Sequence, residues 1–176
     1  MGVRSVLVFL TLAAGLQPRA AIASVWNGLE FGTPLAEFQK KYPEAEGTTA
    51  GDAAAALPYV NYRLRQRALG TLSPCDLEFS FTGKERVLYR LEARCQNDAA
   101  EVLRYLTATY GHPTQVSPTT LVWRREQIEI TFQPKAGVFT VADTERSRSV
   151  AAVLMQMLQQ VPLGNATPPP SPELQR

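Results

Sequence analysis

The stretch CDLEFSFTGKERVLYRLEARC, from Cys75 to Cys95, constrains the fold more than any other part of the chain. Its apolar residues fall on odd positions: Leu77, Phe79 and Phe81 before a turn, then Val87, Tyr89, Leu91 and Ala93 after it. Alternate side chains of a strand point to opposite faces, so this period of two predicts a β-hairpin with one apolar and one charged face. An antiparallel register that pairs Phe81 with Tyr89 also pairs Phe79 with Leu91 and sets Cys75 opposite Cys95. On the charged face the same register sets Asp76 against Arg94 and Glu78 against Glu92.

These are the only two cysteines in 176 residues. Opposite each other at the open end of a hairpin, in a chain expected to be exported, Cys75 and Cys95 are expected to form a disulfide. Closing a loop of about 20 residues stabilises by on the order of 3 kcal/mol. A redox or metal pair would call for C-x-x-C spacing or histidine neighbours, and the sequence offers neither. Export is read from residues 1–23: Arg4, an apolar run from Val6 to Leu16, Pro18, then Ala21-Ile22-Ala23, which fits the small-residue cleavage rule before Ser24. The run is about half the ~20 residues that span a bilayer. A cleaved signal peptide and a periplasmic or secreted destination are therefore expected, with no membrane span kept after cleavage.

The formal net charge of +2 includes Arg4 and Arg19, both in that leader, so the remaining basic residues match the 16 acidic ones. A net charge near zero removes any bulk-charge case for nucleic acid. Residues 24–161 are long enough for one domain with a real core, and residues 162–176 read as a Pro-rich tail. Asn165 there begins an N-A-T glycosylation pattern.

The elements around the hairpin follow from spacing. Thr33 is an expected N-cap with Pro34 as first helical residue, and Leu35, Phe38 and Tyr42 share a face up to Pro43. Residues 48–57 are small and read as a loop. In the run YVNYRLRQRALG, Val60, Tyr62 and Leu64 alternate with Asn61, Arg63, Arg65 and Arg67, which predicts a strand with a basic face. After Cys95, Asp98 and Glu101 have capping-box spacing, Ala99, Leu103, Leu106 and Tyr110 form a helical stripe, and Gly111 and Pro113 end it. His112 is expected against the terminal carbonyls of that helix. Leu121 and Trp123, then Ile128, Ile130 and Phe132, predict a second hairpin or bent strand, followed by a last strand from Val138 to Val141. Asp143 or Thr144 caps a final helix whose stripe is Val150, Val153, Leu154, Met157, Leu158 and Val161. That helix is expected to cover the sheet, with Met155 and Met157 as a rival reading as a docking groove.

Candidate functional residues are few. Arg63, Arg65, Arg67 and Arg90 are the expected contacts for an acidic protein surface, an anionic glycan or a lipid headgroup, set against a reading as ion-paired surface. Tyr62, Tyr89 and Trp123 are the expected lining of a pocket, if one lies between sheet and helices. Glu78 and Glu92 are the only two acids placed near each other for a hydrolase. No metal-ligand, nucleophile or phosphate-loop motif is present, so no metal and no cofactor is expected.

Two stretches, FGTPLAEFQKKYP and LRYLTATYGHPTQ followed by LVWRREQIEITF, resemble small exported bacterial domains that repeat a helix and a few antiparallel strands. The carriers are Gly32-Thr33-Pro34 at a helix start, Tyr110-Gly111-His112-Pro113 at a helix exit, and Trp123 on the next strand. The group is the beta-lactamase-inhibitor-like fold, shared with the small barrel-assembly lipoprotein of the outer membrane (SmpA/OmlA-like). The sequence has no lipid-attachment cysteine after the leader. The resemblance implies fold and compartment first, and non-enzymatic binding of another envelope protein second. The expected fold class is α+β: an antiparallel sheet with helices packed on one face, built as two degenerate helix-strand units plus a C-terminal helix.

Overall fold

The computed structural model describes residues 24–48 and 57–160. The expected signal peptide, most of the small-residue loop, and the tail with Asn165 lie outside the described residues. The chain opens on a small hairpin, β1 (Ser24–Trp26) and β2 (Leu29–Glu30), turned at Asn27 and Gly28, both at positive φ. An Asn-Gly pair supplies that left-handed geometry at low cost. Trp26 stacks at 5.1 Å on Tyr42 and 5.6 Å on Phe79, and its indole N–H donates to the Ala68 carbonyl at 3.0 Å.

Helix α1 (Leu35–Lys41) is one residue pair shorter than expected, and its N-terminus differs. Pro34 stands at the cap in extended backbone, bridged to Val87, while the Thr33 hydroxyl bonds back to Glu30 instead of capping. A turn this short is held by packing. Phe38 supplies it: fully buried, with its ring 4.9 Å from Phe79 and 5.1 Å from Phe81.

The main sheet has eight strands, all paired antiparallel. Strands β3 (Glu46–Gly47), β4 (Tyr59–Leu69), β5 (Leu72–Thr82) and β6 (Leu88–Cys95) form one half. Helix α2 (Ala99–Tyr110) then leads to β7 (Gln115–Val116), β8 (Leu121–Arg125), β9 (Ile128–Gln133) and β10 (Val138–Asp143). The order across the sheet is β3-β4-β5-β6-β10-β9-β8-β7. Each half is thus a helix, a two-residue strand and a three-strand meander, and the halves meet through their last strands, β6 and β10. The class is α+β, with helix α3 (Thr144–Gln160) as the last of the described elements.

The central hairpin has the expected pairs of Cys75 with Cys95, Asp76 with Arg94, Glu78 with Glu92 and Phe79 with Leu91, and the disulfide joins Cys75 to Cys95. One step differs. Phe81 pairs with Leu88, not Tyr89, because a bulge between Ser80 and Phe81 makes Tyr89 an extra residue. The segment entering α1 holds the backbone there: Leu88 N–H donates to Thr33 and Gly32 N–H to Leu88. Leu88 joins the core, while Tyr89 is buried outside it.

One face of the sheet carries the cross-strand row Tyr62, Phe79, Leu91, Val141, Ile130 and Trp123. All but Tyr62 are buried, covered by α1 through Phe38 and by α2 through Val102 and Leu106. Asp98 caps α2 by accepting from Glu101 N–H at 2.8 Å, and Gly111 ends it at φ 76°, as expected. The carbonyls at that end are taken by Arg125, which donates to Tyr110, and by the Trp123 indole, which donates to Gly111 at 2.8 Å. These two do the work expected of His112. Helix α3 is capped by Asp143, whose carboxylate accepts from Arg146 N–H at 2.8 Å, and it rests against β6 and β10 with Val150 buried apart from the main core.

Candidate functional site

The opposite face follows from the same register. Glu46, Arg63, Glu78, Glu92, Thr140, Thr131, Val122 and Gln115 stand in one row, one residue from each strand. The row is charged over β3 to β6 and neutral over β10 to β7. Beside it runs a second row of Asn61, Ser80, Arg90, Ala142, Glu129 and Arg124.

The direct pairing of Glu78 with Glu92 is repulsive on its own. Each is neutralised by a different arginine: Arg63 binds Glu78 at 2.9 Å and Arg90 binds Glu92 at 2.5 Å. The Asn61 side-chain N–H also donates a hydrogen bond to the Glu78 carboxylate at 3.0 Å. The bond to Glu78 raises the Arg63 pKa above its ordinary value, outweighing the opposing effect of burial. Arg65 pairs with Glu46 at 3.2 Å, and Arg124 with Glu129 at 2.9 Å. The Arg63 and Glu78 side chains remain 40% and 25% exposed, so the pair is held in place yet still reachable.

The basic strand does not present its three arginines together. Gln66 takes φ 52° and the register shifts between Leu64 and Arg67, so Arg67 stands opposite Cys75, on the parity of the core face. There it pairs with Glu44, at the helix side of the sheet. The bulge is fixed by Asp76, which accepts from Gln66 N–H at 3.1 Å. Arg63, Arg65 and Arg90 therefore share the charged face, and Arg67 does not. Glu44 and Glu46 were missed as partners because the run Pro43 to Gly47 reads only as a helix stop; its two acids opposite a basic strand were the available signal.

The pocket expected from Tyr62, Tyr89 and Trp123 is not formed. Tyr62 and Trp123 stand five strands apart in one row, roughly 24 Å at ordinary strand spacing. Trp123 is fully buried, Tyr62 packs edge-on against Phe81, and Tyr89 leaves the core at the bulge. Burial pushes the Tyr89 phenol up in pKa.

A groove of about 590 Å³ lies elsewhere, between the β4–β5 turn and α2. Gly70 to Leu72 form one wall and Glu101, Arg104, Tyr105 and Thr109 the other, with Asn97 at one end. Asn97 ties the walls, accepting from Ser73 N–H and donating to Glu101, each at 3.0 Å. Gly70 is required twice over, by its φ of 60° and because a Cβ there would overlap the Tyr105 ring. Arg104 makes no ion pair among the described residues.

Among the described residues no group of three metal-ligating side chains comes together, and no helix is long and apolar enough to cross a membrane. Glu78 and Glu92 are register partners, but both carboxylates are engaged by arginines on the open sheet face. No family model, no curated protein and no solved structure matches this chain.

Proposed function

We propose that the chain is a non-enzymatic binding or inhibitory module of the bacterial envelope, periplasmic or secreted, that contacts another envelope protein through the charged half of its sheet face. The observation that carries this reading is the fixed array of half-exposed ion pairs on β3 to β6. A guanidinium has five donors, and Arg63 and Arg90 each spend one on a neighbouring glutamate. The remaining donors are presented in a set geometry on an open surface, and the charged half that carries them is roughly 14 Å across, from β3 to β6. Such pairs add little stability, but a pre-ordered pattern of alternating charge discriminates between partners. Arg63, Arg65 and Arg90 are the contact residues in this reading. The expected leader and the resemblance carried by Gly32 to Pro34 and Tyr110 to Pro113 support the same compartment and binding class, and the disulfide is compatible with it. Crosslinked capture from the native periplasm tests it: a discrete partner is expected, lost when Arg63, Arg65 and Arg90 are changed to Glu. Retention of every crosslinked partner by that variant would sink the reading.

The groove favours a second reading, a binder of a small ligand or of an anionic glycan or lipid headgroup, with Arg104 as the cation that meets it. Titration with acidic oligosaccharides separates the two: shifts confined to Asn97, Arg104 and Tyr105 and abolished by Arg104→Gln would favour the groove.

A further inference from the structure

Glu101, Arg104, Tyr105 and Ala108 recur at helical spacing, so they share the face of α2 that walls the groove. Glu101 and Arg104 are neighbours at i and i+3, a spacing that ordinarily brings a carboxylate and a guanidinium together. Here they form no ion pair. The Asn97 side-chain N–H engages Glu101 Oε2 at 3.0 Å, and among the described residues neither Glu101 Oε1 nor the Arg104 guanidinium has a hydrogen-bond partner. The groove therefore holds an unspent charged acceptor beside unspent charged donors, with no net charge between them. Leu72, Ala108 and the Tyr105 ring add apolar surface to the same lining.

That combination selects a ligand class. A lone anion on Arg104 would meet the Glu101 carboxylate one helical turn away, and an apolar ligand would desolvate both charges without replacing their water. A hydroxyl both donates and accepts. Two adjacent hydroxyls of a sugar ring thus answer the carboxylate and the guanidinium together, while the C–H surface of the ring covers the apolar lining.

We propose that the groove takes one sugar ring of a glycan, recognised through adjacent hydroxyls by Glu101 and Arg104, with no charge required on the sugar; this rests on the reading of the groove as a small-ligand site. Its volume of about 590 Å³ lies within the roughly 300–1,000 Å³ of ligand sites. The walls are set before a ligand arrives: Asn97 accepts from Ser73 N–H and Gln96 N–H donates to Pro74, each at 3.0 Å, and the Cys75–Cys95 bridge joins the same two segments. Fixed walls lower the ordering cost of binding.

An amide NMR titration of the oxidised protein tests this, with three neutral disaccharides, cellobiose, maltose and di-N-acetylchitobiose, run beside digalacturonate and inorganic phosphate. Saturable shifts at Thr71, Asn97, Glu101 and Arg104 are expected with at least one neutral disaccharide. At drug-like ligand efficiency, one ring of about a dozen non-hydrogen atoms binds with a dissociation constant on the order of 1 mM. Arg104→Gln and Glu101→Gln are each expected to weaken binding roughly tenfold, since each removes a charged hydrogen-bonding partner. Shifts with digalacturonate or phosphate but with no neutral disaccharide would overturn the inference and leave the groove as an anion site. No shift with any of the five would overturn both the inference and the small-ligand reading. Shifts away from the groove, or unchanged in both variants, would also overturn the inference.

Discussion

Reducing the Cys75–Cys95 bridge tests whether this hairpin is the stabilising centre of the fold. The bridge joins residues 20 apart, and the native ladder already pairs those two positions across β5 and β6. Reduction therefore leaves the folded state in place and acts on the unfolded chain, which regains the freedom of an open loop. The loop-closure expression gives about 3 kcal/mol for that length. Both cysteines are buried, so alanine replacements would add a packing loss and confuse the two effects. Comparing the oxidised and reduced wild-type chain avoids that. Urea unfolding followed by the fluorescence of buried Trp26 and Trp123 is the assay. With a slope of about 2 kcal/mol per M, the midpoint is expected to fall by roughly 1.5 M on reduction. A fall under about 0.5 M would refute the reasoning, by showing that the unfolded hairpin is already closed by residual structure.

Three further outcomes follow from individual contacts. Trp123→Phe removes the indole bond that ties β8 to the Gly111 carbonyl at the end of α2, and is expected to cost about 1–3 kcal/mol in urea unfolding. A double-mutant cycle on Arg63→Gln and Glu78→Gln is expected to give a coupling of under about 1 kcal/mol that shrinks further in 0.5 M salt, since the pair is partly exposed. Burial raises the Tyr110 phenol to about 12 and also raises Tyr89 and Tyr105. An acid whose pKa is higher folded than unfolded keeps its proton longer in the folded state, so stability is expected to hold up to about pH 10 and to fall as pH rises from there toward 12. Unfolding midpoints across that range check the sign, and a midpoint that rises would contradict it.

The parts of the fold legible in sequence are those where period and punctuation agree. The hairpin register followed from odd-numbered apolar residues between two cysteines, and the α2 boundaries from Asp98 and Gly111. What escaped was set by contacts between distant segments. The bulge at Tyr89 depends on the backbone of Gly32 and Thr33 reaching Leu88, and the pairing of β6 with β10 joins strands that a whole helix and three other strands separate in sequence. The displacement of Arg67 depends on Asp76 holding Gln66 in a left-handed turn, a side chain to backbone bond without a periodic signature. The small hairpin β1–β2 was not read from the sequence, although Asn27-Gly28 was its available signal. For the site, the sequence supplied four arginines and the register sorted them: three on one face, one on the other, each with its own carboxylate.

The most direct test of the charged face as a recognition surface is site-specific photocrosslinking in intact cells, with the probe placed in turn at Arg63, Arg90 and Thr131, and at Lys135 in the β9–β10 turn as a control. The account predicts a discrete crosslinked protein from positions 63 and 90, weaker or absent from 135, and lost when Arg65 is changed to Glu. Crosslinks that come equally from every position, or from Lys135 alone, would contradict it.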